Sequence, residues 1–328
     1  MAHDREVLVA ERLMSSGDYA GALGAFEALE RAAPSPADRV ELRLRRAEAL
    51  RRADRADEAA EVVRGTRRVV DGDQLSPRLR AKVLMAEARL ELDAGREPQG
   101  RALLREVVER FPGTEWAVRA LQLLGLRARE SDKDKLAFVV WCRRLAESAP
   151  DGPLADNLYY EVGRHHFERD TEADDTLAVA VYEVVIERFT IRSSGLWDDA
   201  LWDLSLIHHR RRRFVDEIRL LERFIAERVE ASAPGSYEHV NYKHAWLRVG
   251  HVLLEDLGQP AEAAPHFAEF PRVFQHALVR SEAKYFEAVA WERAGDPERA
   301  ATARVELLRD YPESRWARRL RKERGVAP

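Results

Sequence analysis

ERFPGTEWA at residues 109–117 and RDYPESRWA at residues 309–317 are one phrase written twice, two hundred positions apart. Each copy follows an amphipathic helical pattern and stops it at an aromatic-Pro pair, Phe111-Pro112 or Tyr311-Pro312. A helix restarts behind Thr114 or Ser314, both good N-caps, with a tryptophan in its first turn. A phrase that recurs at long range marks internal repeats. The helix-stop-helix grammar makes each repeat a pair of helices.

The register that the phrase anchors extends over the whole chain. Small residues mark the second helix of each hairpin at Ala22, Ala59, Gly100, Ala137, Ala178, Glu217, Ala263 and Ala300, at intervals of 37–46 residues. Four residues on come Phe26, Val63, Leu104, Trp141, Tyr182, Leu221, Phe267 and Arg304. Seven on come Leu29, Thr66, Val107, Arg144, Val185, Phe224, Phe270 and Leu307. An i, i+4, i+7 set lies on one helix face and makes a stacking seam. Glu217, Arg304, Thr66 and Arg144 are the misfits. First helices carry small residues at Ala47, Ala88, Gly125, Gly163, Ser205, Gly250 and Ala288, which let paired helices approach closely. Turns fall at Gly17-Asp18, Ala53-Asp54, Gly95-Arg96, Gly258-Gln259-Pro260 and Gly295-Asp296-Pro297, where a left-handed cap ends one helix and a proline opens the next.

These positions predict an all-α, right-handed α-solenoid of about eight helical hairpins, spanning 1–328 as one array with a charged capping helix from Ser314. A linker-like stretch at 229–240 is the expected place for a bend. The acidic stretch Asp170–Thr176 reads as a solvated insertion. It lacks the glycine at its sixth position (Asp175) and the glutamate at its twelfth (Val181) that a calcium loop requires.

The pattern resembles the tetratricopeptide-repeat superfamily. Within it, the Phe/Tyr-Pro phrases followed by Thr or Ser and a Trp-Ala helix start resemble bacterial cell-envelope members of the outer-membrane-assembly lipoprotein and Tol–Pal coordinator type. The resemblance is sharpest around residues 84–125 and 281–317. It implies a non-enzymatic scaffold holding a partner peptide or domain on the concave face, in a bacterial multiprotein assembly. A receptor whose curvature responds to a peptide or ligand is the alternative.

Composition agrees with such a chain. Apolar residues at 45% exclude disorder, and a net charge of -4 provides no global field for nucleic acid. No apolar run reaches membrane-spanning length. Cys142, the one cysteine, is expected as buried filler, and no internal disulfide is available to it. No lipidation cysteine or apolar leader segment occurs near the start, so a cytoplasmic protein is expected, or an envelope one if a leader has been trimmed.

No phosphate-cradling loop, nucleophile elbow or metalloprotease helix is present, so neither enzyme activity nor a cofactor is expected. The pairs His165-His166 and His208-His209 fall near the ends of successive first helices, where the helix dipole favours them. With Glu161 one turn before His165, a two-helix metal site is the alternative reading, and no metal is expected. The run Arg210, Arg211, Arg212 and Arg213 is the strongest basic patch. It reads as a wetted turn paired with Asp216 and Glu217, or else as a site for an acidic partner. Projecting the register places Arg119, Gln122, Arg129, Asn157, Tyr160, Arg164, Asp199, Trp202, His209, Arg210, His244 and His251 on the inner face. That set mixes donors with aromatic anchors and suits a protein or peptide partner, an acidic one included. Because the phrase is degraded in the middle repeats (Thr190, Val229 and Gln275 stand for its proline), recognition is expected on repeats four to seven. The twin tryptophans are expected to pack between repeats.

Overall fold

The computed structural model describes residues 2–72, 75–227, 241–275 and 278–323. The chain divides into two compact units, Met1–Glu161 and Val162–Pro328. Seventeen α-helices and no strand occur among the described residues.

In the first unit the helices pair in chain order: α1 (Ala2–Ser15) with α2 (Tyr19–Arg31), α3 (Pro36–Arg52) with α4 (Ala56–Gly72), α5 (Pro77–Asp93) with α6 (Glu97–Arg110), and α7 (Glu115–Ala128) with α8 (Asp132–Ser148). The boundary falls within α9 (Ala155–Phe167). The second unit continues with α10 (Glu172–Arg188), then α11 (Trp197–Arg210) with α12 (Phe214–Ala226). Next come α13 (Tyr242–His251) and α14 (Pro260–Val273), then α15 (Arg280–Arg293) with α16 (Pro297–Asp310), and α17 (Arg315–Glu323) closes the series. This is the expected helical repeat: eight hairpins and a capping helix. The stretch 229–240, where a bend was expected, lies outside the described residues.

The twin phrase makes the same bonds in both copies. Phe111 N–H donates to Val107 O and Tyr311 N–H to Leu307 O, closing α6 and α16. The Thr114 and Ser314 hydroxyls then accept from the amides of Ala117 and Ala317, opening α7 and α17. Seven of the eight hairpin turns contain a left-handed residue. Gly17, Gly95, Gly258 and Gly295 take φ between 63° and 86°, and Asp54, Asp170 and Arg212 fill the role without glycine.

In several hairpins a large side chain from the second helix covers a glycine of the first, as Phe138 does Gly125, Tyr182 does Gly163 and Phe267 does Gly250. Phe26, Leu104, Tyr182, Leu221 and Phe267 are fully buried. A Cβ built on Gly163 would lie 2.6 Å from the Tyr182 ring, and one on Gly250 would lie 2.5 Å from the Phe267 ring. Burying each aromatic is worth roughly 1.5–3 kcal/mol, and the gain depends on there being no side chain beneath it.

The structure corrects two readings. In the fourth repeat Ala137 and Arg144 are exposed, while Phe138, Cys142 and Ala146 are buried, so the seam is displaced from the predicted positions. The stretch 170–176 is no insertion. Asp170 is the left-handed turn residue, Thr171 caps α10 by accepting from Asp174 N–H, and residues 172–175 form its first turn. Asp175 is buried there by Arg210 and Arg211. Two other misfits fit after all: Thr66 is buried with its hydroxyl donating to Val62 O, and Glu217 is fully buried.

Glycine-to-alanine changes test the close approach. In a helix this change normally stabilises by about 0.5–1 kcal/mol. Gly24→Ala in α2, with open space around it, is expected to raise the urea midpoint accordingly. Gly250→Ala is expected to lower it, because overpacking against the confined Phe267 ring costs about 1–3 kcal/mol.

Candidate functional site

Two grooves are formed by first helices, one wholly within each unit. In the first unit α5 lies against α3 and α7. Their shared face encloses a groove of about 400 Å³. Its floor is Leu44 and Ala47 of α3, Met85, Ala86 and Leu90 of α5, Leu123 of α7 and Val63 of α4, and Trp116 forms a wall. The rim carries Arg51, Lys82, Arg89 and Arg119 against one carboxylate, Glu48. Hydrogen bonds from Arg51 hold the Glu48 carboxyl down to about 2, so it stays ionised and neutralised in place. Lys82 pairs with Glu41, and Arg51 also lies 3.4 Å from Asp93. Arg89 and Arg119 have no carboxylate within ion-pair distance among the described residues. Arg119 instead lies over the Trp116 ring, 4.7 Å from its centroid, with Lys82 at 5.9 Å.

In the second unit a groove of about 390 Å³ is lined by Trp202 and His209 of α11, His244, Leu247, Arg248 and His251 of α13, and Glu282 of α15. Val252 and Asp256 complete it from a π-helical turn, Val252–Asp256, that continues α13. Such turns are frequent where a helix must re-aim side chains. Behind the groove Glu217 is completely buried. His209 Nδ1 lies 2.8 Å from one carboxylate oxygen, and Arg248 donates to the other at 2.5 Å. This triad ties α11, α12 and α13 at the position where other repeats hold alanine or glycine. Burial lowers the pKa of His244. The His251 ring, 3.6 Å away, and Arg315 hold Glu282 below the usual carboxylate range.

The groove of the second unit therefore gathers four of the residues projected onto the inner face: Trp202, His209, His244 and His251. Arg119 lies in the groove of the first unit. Gln122 is exposed on α7, and Arg129 is the C-cap residue of that helix. Asn157 and Tyr160 are half-buried on the first part of α9. Arg164 lies 3.9 Å from Glu168, and Asp199 accompanies Asp198 in the first turn of α11. Arg210 lines neither groove. It clasps Asp175, donates to Phe167 O and stacks on the Phe167 ring. Arg211 shares Asp175, Arg212 is the left-handed turn residue, and Arg213 is exposed. The Arg run is thus two internal clamps and two exposed cations.

The histidine pairs share one design. The second member reaches across the turn to a carboxylate eight residues on, His166 to Asp174 and His209 to Glu217, both at 2.8 Å. The first member of each, His165 or His208, is buried. Among the described residues no group of three or more His, Cys, Asp or Glu side chains is placed to hold a metal ion.

Sequence reasoning missed the groove of the first unit. Projecting the same register onto repeats two and three would have found Met85 and Arg89. The twin tryptophans also differ. Trp316 packs on Tyr285 and Phe286, with centroids at 4.8 and 5.0 Å, whereas Trp116 walls the groove.

A family model for the tetratricopeptide repeat matches residues 10–68 and 252–315, so the chain carries tetratricopeptide repeats in these two segments. Among solved structures, it is similar to the C-terminal part of a TPR repeat-containing protein from Cytophaga hutchinsonii, at 14% identity over 94% of this chain and 96% of that one, with a TM-score of 0.42. It is similar to the MamA protein at 13% identity over 58% and 90%, with a TM-score of 0.41. Similarity to YrrB, a TPR protein with an unusual peptide-binding site, covers 74% and 92% at 14% identity, with a TM-score of 0.35. No curated protein matches the chain. Tetratricopeptide repeats generally mediate protein–protein interaction, and no helix among the described residues is long and apolar enough to cross a membrane.

Two measurements test the second unit. Glu217→Ala removes the shared partner of His209 and Arg248. The His209 and Arg248 side chains both keep some contact with water, so the expected cost is about 2 kcal/mol, below the range for a fully buried pair. In Glu217→Ala/Arg248→Met much of that loss should return, as read by a double-mutant cycle in urea. Burial also lowers the pKa of His208 and His266 below the ordinary 6.5. The unfolded chain therefore binds more protons below that value. Stability contributed by keeping these rings neutral is complete above pH 6.5 and declines as pH falls toward the folded pKa. His208→Gln is expected to lose less melting temperature than the parent between about pH 7.5 and 5.5.

Proposed function

We propose that this chain is a non-enzymatic interaction scaffold that holds a segment of a partner protein against its first helices. Tetratricopeptide proteins are generally non-catalytic scaffolds, which supports the reading. The observation that carries it is the α3–α5–α7 groove, an open apolar trough with a tryptophan wall and a charged rim. Open grooves shed little water from a reacting centre and suit recognition better than catalysis. An amphipathic or extended segment can bury one face on the floor while its polar groups meet the rim. A bacterial multiprotein assembly is the proposed setting, supported by the envelope-type phrase at 109–117 and 309–317.

Site-specific photocrosslinking tests the reading in the native host. With p-benzoylphenylalanine in place of Met85, a discrete adduct to another protein is expected. The same group in place of Val305, exposed on α16 in the second unit, should give none. Equal labelling at both positions would overturn the proposal.

A further inference from the structure

The groove of the first unit has a charge pattern that specifies its occupant further. Although carboxylates outnumber Lys and Arg in the chain, 58 to 54, the rim of this groove reverses the balance, with four cations and one carboxylate. That carboxylate is already engaged by Arg51. Two of the cations, Arg89 and Arg119, form no ion pair with a carboxylate of the described residues; Glu115, one turn before Arg119, feels its charge but pairs with Arg78.

Their placement follows from helical spacing. On α5, Lys82, Met85 and Arg89 stand at i, i+3 and i+7, so an apolar surface is bracketed on one helix face by a cation one turn before and one turn after. On α7, Trp116 and Arg119 stand at i and i+3, which joins the indole wall to a cation in the same way. Lys82 and Arg119 also share a register position, each six residues before the small residue of its helix, Ala88 or Gly125. An apolar stripe therefore runs between two sets of cations. One helical turn is about 5.4 Å, and an extended chain covers that in fewer than two residues.

Resting on the scaffold reading above, we propose that this groove captures a partner segment in which one large apolar side chain is flanked on both sides, within one or two residues, by carboxylates. The apolar side chain lies on Met85 beside Trp116. The carboxylates meet Arg89 on one side and Arg119 on the other. Basic or uncharged segments leave both guanidiniums unmatched and are selected against.

The test uses the full chain and three fluorescein-labelled nonapeptides. One has a central leucine with two glutamates on each side, the second has lysines in place of the glutamates, and the third has glutamates around a central alanine. Fluorescence polarisation should show the first binding about tenfold tighter than either other, with affinity falling as salt rises. Arg89→Glu/Arg119→Glu should reverse the preference between acidic and basic probes. Arg89→Gln/Arg119→Gln should abolish the preference while leaving the helical circular dichroism unchanged. Equal binding of the acidic and basic probes, or an unchanged preference in these variants, would overturn the inference. If no probe binds but the Met85 photocrosslinker still captures another protein, the scaffold reading stands and the acid-flanked chemistry falls. An adduct to a second copy of this chain would show a homotypic interface and overturn the inference. Absence of both probe binding and adduct would remove both readings.

Discussion

The close contact between a large side chain on one helix and a small residue on its partner supports everything else in this structure. Tyr182 over Gly163 and Phe267 over Gly250 are its tightest instances. Where glycine or alanine lies beneath a ring or leucine, two helix backbones approach closely and a fully buried side chain fills the space between them. Repetition of that contact builds a core from hairpins that could not each form one alone. It also decides which helix faces remain free. The seam consumes one stripe of each first helix, and the neighbouring stripe is left to line the grooves.

Charge is used in two ways against that background. Inside the hairpins, two buried carboxylates have dedicated partners, Glu217 with His209 and Arg248, and Asp175 with Arg210 and Arg211. An unpaired carboxylate at either position would carry a desolvation cost that packing could not offset. These networks lie at turns and between successive hairpins, where they fix how neighbouring helices meet. At the α3–α5–α7 groove the balance differs, since Arg89 and Arg119 stand at the rim without an ion pair among the described residues, Arg119 resting on the Trp116 ring. A residue's charge therefore does not reveal its role. Arg210 and Arg119 look alike in the sequence, yet one is an internal clamp and the other faces an open groove.

Much of the fold was legible from local rules. The Thr114 and Ser314 caps, the left-handed turns, and the aromatic-Pro stops are short-range signals whose physics acts within a few residues. The small positions of the first helices, from Ala47 to Ala288, were also readable, because each must recur at one place in the register. The fourth repeat misled, since Ala137 and Phe138 are adjacent and either could open the seam. The acidic stretch 170–176 misled for a related reason. Asp175 looks as solvated as the carboxylates around it until a partner some 35 residues away, Arg210, is brought alongside.

The sequence by itself determined the all-α repeat, its hairpin boundaries and the residues that stack, because periodicity, capping and steric size are local or recurrent properties. Only the tertiary structure decided which polar side chains are committed and which are available. It separated Trp116, a groove wall, from its twin Trp316, a packing residue, and it committed Arg210 to Asp175 and the Phe167 carbonyl. It also brought Trp202, His209, His244 and His251 together from two helices. The physical reason is that ion pairing and burial depend on what lies opposite a residue. That is set by how one hairpin stacks on the next.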